Sequence, residues 1–178
     1  SAMKTWINVA NISDGNVGLE YVSTFTFTGL CDNSDKKSAN EKLEIYIPHN
    51  SWVRELNWKK YSLSQLGFER VSSFSTKRIN ITNTGSWSSK EYLPMGAISN
   101  LHENSTIMWQ IEHNGSWQWE IGDIKDLMYL RMCGPNESEN HWYKELKPGE
   151  HFESVPAAIA VGENFDKALA EMTKYRRK

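Results

Sequence analysis

The chain has 178 residues, with 20 Lys and Arg against 22 Asp and Glu and a formal net charge of −2, a length that fits one domain with a substantial core. That balance supplies no basic surface for nucleic acid or an anionic membrane. No run is apolar for the ~18 residues a membrane helix needs, and the start "SAMKTWINVANIS" lacks the apolar stretch of a secretory signal, so a cytoplasmic location is expected. Ser1-Ala2-Met3 reads as a cloning remnant.

Alternation dominates the rest of the chain. "TWINVANI" sets Trp6, Asn8 and Ala10 against Ile7, Val9 and Asn11. "GLEYVSTFTFTGL" sets Leu19, Tyr21, Ser23, Phe25 and Phe27 against Glu20, Val22, Thr24, Thr26 and Thr28. Both have period two and are β-branched and aromatic, so with the turn-prone "SDGN" between them they predict a hairpin. "CDNSDKKSAN" reads as a polar connection, and "EKLEIYIPH" as a strand stopping near Pro48. Within "WKKYSLSQLGF", residues Tyr61 to Gly67 predict a short helical turn capped by glycine inside an irregular loop. "SSFSTKRINITNTG" predicts a strand closed by the turn "NTG".

Asn114-Gly115 is the strongest two-residue hairpin signal in the chain, and it predicts that a strand from Ile107 to His113 pairs with one from Ser116 to Ile121. "LMYLRMCG" and "EHFESVPAAIAVG" predict two more strands, joined by the loop "PNESENHWYKELKPGE". Then the character changes. Phe165, Leu169, Met172 and Tyr175 follow helical spacing, with Asn164 as N-cap and a basic end. Eight or more short strands with one amphipathic helix after them predict an all-β sandwich with a connector leaving it.

The common catalytic motifs are missing: there is no GxSxG, P-loop, GxGxxG or HExxH. His49, His102, His113, His141 and His151 are scattered, none at ligand spacing from another, and Cys31 and Cys133 form no zinc pattern. No metal or other cofactor is therefore expected. Carboxylates are plentiful, and Glu112 and Glu120 flank the expected Asn-Gly hairpin, where opposed acids could serve a glycosidase. Acids on a solvated strand face are the default, so no catalytic residue is assigned within the chain.

The eight tryptophans say more. "HNSWVRELNW" (49–58) and "HNGSWQWE" (113–120) share His-Asn with Ser-Trp after it. Each joins a stacking ring to amides and charges that can take sugar hydroxyls in pairs. Trp117 and Trp119 fall on one strand face, which is either core or platform. Trp52 lies in a loop, where a ring has less structural reason to be.

The runs "IPHNSWVRELNWKKYSL", "GSWSSKEYLPMGAI", "WQIEHNGSWQWEIGD" and "LKPGEHFESVPAAIAVGENFDKALAEMTKYRRK" resemble the N-terminal β-domain of family 36 glycoside hydrolases, the retaining α-galactosidases and their relatives. The resemblance runs from about Lys4 to the C-terminus and is most specific in the last third. It implies a galactose-mutarotase-like supersandwich of antiparallel sheets over 4–162, incomplete at its N-terminus. A helix over 163–178 would then lead to a catalytic barrel, absent here, that carries the catalytic aspartates.

The implied role is non-catalytic: to pack on that barrel, to support a homo-oligomer, and to add side chains to the rim of a galactoside site. The candidate rim residues are Trp52, Arg54, Trp87, His113 and Trp117. Trp52 is the one carried over from the family pattern, since "GSWSSKEYLPMG", with Trp87 and Tyr92, departs from the plainer turn of many members. A free-standing lectin-like sandwich, or an enzyme using Glu112 or Glu120, are the rival expectations.

Overall fold

The computed structural model describes residues 1–31, 39–68, 76–83, 85, 87–124 and 127–178. In chain order its strands are β1 (Ala2–Thr5), β2 (Asn8–Ala10), β3 (Val17–Leu19), β4 (Ser23–Phe27), β5 (Leu43–His49), β6 (Asn57–Ser62) and β7 (Lys77–Thr82). They continue with β8 (Met95–Asn100), β9 (Ser105–Ile111), β10 (Gln118–Ile124), β11 (Leu127–Cys133), β12 (Lys144–Leu146), β13 (His151–Glu153) and β14 (Ala157–Gly162). The helices are α1 (Ala39–Lys42), α2 (Glu137–Asn140) and α3 (Phe165–Arg176). The expected helical turn is a 3-10 segment, Ser64–Leu66, closed by Gly67 at φ 78.

All strand pairs are antiparallel, in a six-stranded sheet of order β1-β14-β9-β8-β5-β6 and a four-stranded sheet of order β4-β11-β10-β7. Two short ribbons, β12-β3 and β13-β2, complete the set. The all-β expectation holds, and the alternation explains the layering. Odd positions of β10 and even positions of β11 put Trp119, Ile121, Met128, Leu130 and Met132 into one core with Ile45, Ile47, Ile98, Trp109 and Ile111 of the larger sheet. Trp109 and Trp119 meet edge to face across the sandwich, centroids 5.1 Å apart. The Trp109 indole lies across Gly96 of the neighbouring strand β8, where any Cβ would collide with it.

The far face of the larger sheet carries α3. Small residues there (Ala97, Ala158 and Ala160) let Ala168 and Met172 approach closely, with Tyr46, Trp58 and Phe165 packed beside them. Asn164 caps the helix by accepting from Lys167 N at 3.0 Å, as its position predicts.

Several sequence expectations change. β2 and β3 do not pair with each other. β2 pairs with β13 and β3 with β12, so the predicted hairpin is replaced by two long-range ribbons. The turn at Asn114-Gly115 is not a β-hairpin either: β9 lies in the six-stranded sheet and β10 in the four-stranded one, so the chain crosses between sheets there. Gly115 is absent from the positive-φ residues that a type I′ turn would demand. Ala2 and Met3 also belong to the larger sheet, pairing with Ala160 and Ile159. β6, β8 and β12 form where a loop or no strand was expected.

A Cβ on Gly162 would collide with the Ala168 backbone nitrogen. Overpacking at such a contact costs about 1–3 kcal/mol. Gly162→Ala is therefore expected to lower stability in urea by that amount and loosen α3, read as faster amide exchange over 165–176. Unchanged exchange there would contradict the close packing.

Candidate functional site

Three connections gather at one end of the sandwich: 50–56 after β5, 83–94 after β7, and the sheet-crossing segment 112–117. Backbone groups in such loops must find partners, and three side chains supply them. Asn50 accepts from Leu56 N at 3.2 Å and donates through its amide to Ser89 O, while Asn50 N donates to Glu91 O at 2.8 Å. Asn83 accepts from Trp117 N at 2.8 Å and donates to Gly85 O and Trp87 O at 3.3 and 3.4 Å. Ser88 Oγ donates to His113 O at 3.1 Å. The middle segment thus ties the outer two together.

The first loop is strained. Val53 sits at φ 64 and Leu56 at φ 54, left-handed conformations that non-glycine residues seldom adopt. Each costs about 1–3 kcal/mol and persists only where surrounding bonds impose it. Here Glu55 Oε1 accepts from Val53 N at 3.1 Å, and Ser51 O accepts from Arg54 N at 3.0 Å. The result is a fixed turn with Trp52 82% and Val53 76% exposed. Arg54 is exposed in the same turn, and Trp87 is 56% exposed on the middle segment.

Trp117 has a different place. Its ring is fully buried in the core. Its Nε1 donates to Ser88 O at 2.7 Å, and its carbonyl accepts from Thr82 Oγ1 at 2.7 Å. It cannot stack on a ligand; it anchors the loops from beneath, because the crossing turns its ring inward beside Trp119. Among the rim candidates, then, Trp52, Arg54, Trp87 and His113 lie on the tied loops with surface exposure, and Trp117 supports them.

His113 is half-buried, its imidazole lying over Gly115, where a Cβ would stand 2.6 Å from Nε2. Burial lowers its pKa. At the root of the first loop, His49 Nε2 pairs with Tyr61 Oη at 2.8 Å beside Tyr92. Its pKa is also lowered, by burial and then by the Lys59 ammonium.

A cleft of about 410 Å³ opens beside the crossing, with Gln110, Glu112, His113, Asn114 and Arg176 as its polar wall. Glu112 is a hub. It accepts from Tyr175 Oη at 2.9 Å and Arg176 Nη1 at 3.0 Å, and pairs with Lys4 Nζ at 3.3 Å. Glu120 is buried on the other sheet and accepts from Arg78, Gln118, Tyr129 and Arg131. Glu112 lies just past β9 and Glu120 within β10 of the other sheet, both with their oxygens already engaged, and they do not form the opposed pair that the hairpin reading allowed. Among the described residues no group of three or more His, Cys, Asp or Glu gathers to hold a metal ion, and no helix is long and apolar enough to cross a membrane.

Sequence reasoning missed Asn50 and Asn83, whose amides hold the loops. The only signal was their place in "HNSW" and "TNTG", which reads equally as turn chemistry.

No protein-family model matches the chain, and no curated protein matches it. Solved structures do. An α-galactosidase from Lactobacillus brevis superposes at TM-score 0.74 with 13% identity, over 94% of this chain and 20% of that one. The fold of the chain is found within α-galactosidases. The galactosidase domain of the α-galactosidase-sucrose kinase AgaSK gives TM-score 0.74 and 13% identity, over 95% of this chain and 21% of that one. The family 36 α-galactosidase AgaA from Geobacillus stearothermophilus gives 0.68 and 12%, over 87% and 19%. The chain spans about a fifth of the structures it matches, and at this identity the likeness is one of fold.

The histidines set a pH dependence. A histidine whose folded pKa lies below its ordinary value of 6.5 takes up protons more readily when unfolded. Its contribution to stability is full above 6.5 and is lost as pH falls through the folded pKa. The urea midpoint is expected to hold between about pH 8 and 7 and to fall below 6.5, and the His49→Gln/His113→Gln double variant should flatten that fall. A double variant with the parent's pH profile would show that other groups set it.

Proposed function

We propose that the chain is the N-terminal β-sandwich portion of a retaining, family 36-like α-galactosidase. The fold likeness to α-galactosidases over 94–95% of the chain carries this reading, and the resemblance of "WQIEHNGSWQWEIGD" and the "PGE…YRRK" segment supports it. In this reading the two sheets belong to a larger supersandwich, and α3 connects 4–162 to a barrel supplying both catalytic carboxylates. Those carboxylates would be about 5–5.5 Å apart, as retention of configuration requires. The chain itself is non-catalytic. It packs on the barrel, contributes to a homo-oligomer, and lends Trp52, with Arg54, Trp87 and His113 near it, to the rim of a galactoside site. No metal or organic cofactor is needed for that reaction.

A ring held on a strained, pinned turn is suited to a rim, because little conformational entropy remains to be lost when a sugar packs against it. The exposure of both Trp52 and Trp87 also favours a second reading, a free-standing carbohydrate-binding module.

Expression of the gene's full open reading frame separates these. The full protein is expected to hydrolyse p-nitrophenyl α-galactoside, and the isolated 178-residue chain to leave it intact. Trp52→Ala in the full protein should lower kcat/KM for raffinose about tenfold, about 1.4 kcal/mol of transition-state stabilisation. Unchanged kinetics would remove Trp52 from the rim. Calorimetric binding of raffinose by the isolated chain, with no hydrolysis by the full protein, would favour the binding module instead.

A further inference from the structure

The outer face of the four-stranded sheet carries a second polar assembly, away from the tied loops. Pairing register sets Asn80, Glu120, Arg131 and Thr26 in one row across β7, β10, β11 and β4, with Arg78, Gly122 and Tyr129 in the next. Glu120 is 1% exposed. Its Oε2 accepts from Arg78 Nη1 at 3.3 Å and Gln118 Nε2 at 3.0 Å, and its Oε1 from Tyr129 Oη at 2.9 Å and Arg131 Nη2 at 2.6 Å. Tyr129 lies over Gly122, where a Cβ would meet its hydroxyl at 2.6 Å. The Arg131 guanidinium carbon stands 5.0 Å from the Tyr21 ring centre and 5.9 Å from that of Tyr129.

Stability alone gives little reason for this arrangement. Burying a carboxylate between two guanidiniums recovers roughly what desolvation costs, and well-packed apolar residues commonly do as well or better. What the buried acid does achieve is to hold Arg78, Arg131 and Tyr129 in fixed orientations. Hollows of about 480 and 420 Å³ flank Tyr129, the first lined by Lys77, Arg78 and Asp123, the second by Thr26, Thr28 and Arg131. Together they cross four strands, which at ~4.8 Å per spacing makes a trough about 14 Å long.

The chemistry of the trough is one-sided. Glu120 has four donors on its two oxygens and no acceptor capacity to spare. On this face Arg78 and Arg131 stand against Glu120, which leaves one surplus positive charge among its described residues. Fixed guanidinium forks match a carboxylate, and a tyrosine ring with Thr26 and Thr28 on one flank suits a pyranose ring. We propose that this trough binds a short carboxylate-bearing oligosaccharide, its anion on Arg78 and Arg131 and a sugar face against Tyr129. The inference stands apart from the rim reading, since none of the three residues lies on the tied loops.

The purified chain, titrated by calorimetry and amide NMR, tests it with trigalacturonate, neutral galactotriose and citrate as probes. Trigalacturonate is expected to bind at least about tenfold more tightly than the other two, with shifts centred on Arg78, Gly122 and Tyr129. Arg78→Ala should weaken it at least about tenfold, the worth of a charge-assisted contact. Arg78→Lys, which keeps the charge and loses the fork, should also weaken it if the alanine variant folds poorly. Trp52→Ala should leave it unchanged. Equal binding of galactotriose or citrate, shifts confined to 50–56, or no shifts at all would each overturn the proposal.

Discussion

The contact between Trp109 and Trp119 is the one on which the rest of the structure depends. The two rings join the sheets at the centre of the sandwich, and each buries an area worth about 4–6 kcal/mol. Both indole N–H groups are buried there without an acceptor, at a cost of about 1–3 kcal/mol each. Apolar burial outweighs that cost, so shape and not polarity keeps these residues in place. Gly96 is part of the same constraint, because a side chain on β8 would lift the Trp109 ring and separate the sheets.

The loop end depends on that pair. Trp109 and Trp119 stand on either side of the crossing 112–117, which therefore has its two ends fixed. Trp117 turns inward next to them, and its N–H and carbonyl groups anchor Asn83 and Thr82. Asn83 and Ser88 then fix the middle segment, and Asn50 fixes the strained turn that presents Trp52. Core packing, buried amides and exposed rings form one sequence of causes. Glu112 extends it to α3, since the same carboxylate that borders His113 takes Tyr175 and Arg176.

Much of this was legible in the sequence, and the remainder was hidden for physical reasons. Alternation located β5, β7, β10 and β11, and helical spacing with Asn164 located α3. Trp52 read correctly as a ring in a loop. Asn114-Gly115 misled because a two-residue turn signal is local, whereas a change of sheet is decided by where Ile111 and Trp117 find apolar partners far away in sequence. β2 and β3 misled for the same reason: each is three residues long, too short to choose a partner, and each pairs with a strand more than a hundred positions on. β8, "MGAISN", was invisible because its glycine and alanine serve the Trp109 ring and α3 and do not keep to an apolar alternation. The role of Glu120 was equally hidden, since a strand acid looks solvated until both neighbouring strands bring an arginine to it.

The pairing of β1 with β14 has a consequence in time. β1 is made well before the strand it joins, which spans Ala157–Gly162. Some 150 residues must be made before that ladder can close, and contacts of such sequence separation are slow to form. In the interval β1 is an open edge, able to pair with whatever strand it meets. β1 is thus locked no earlier than β14, the last strand of the large sheet to be made. The Lys4–Glu112 pair closes over it only when β9 is in place.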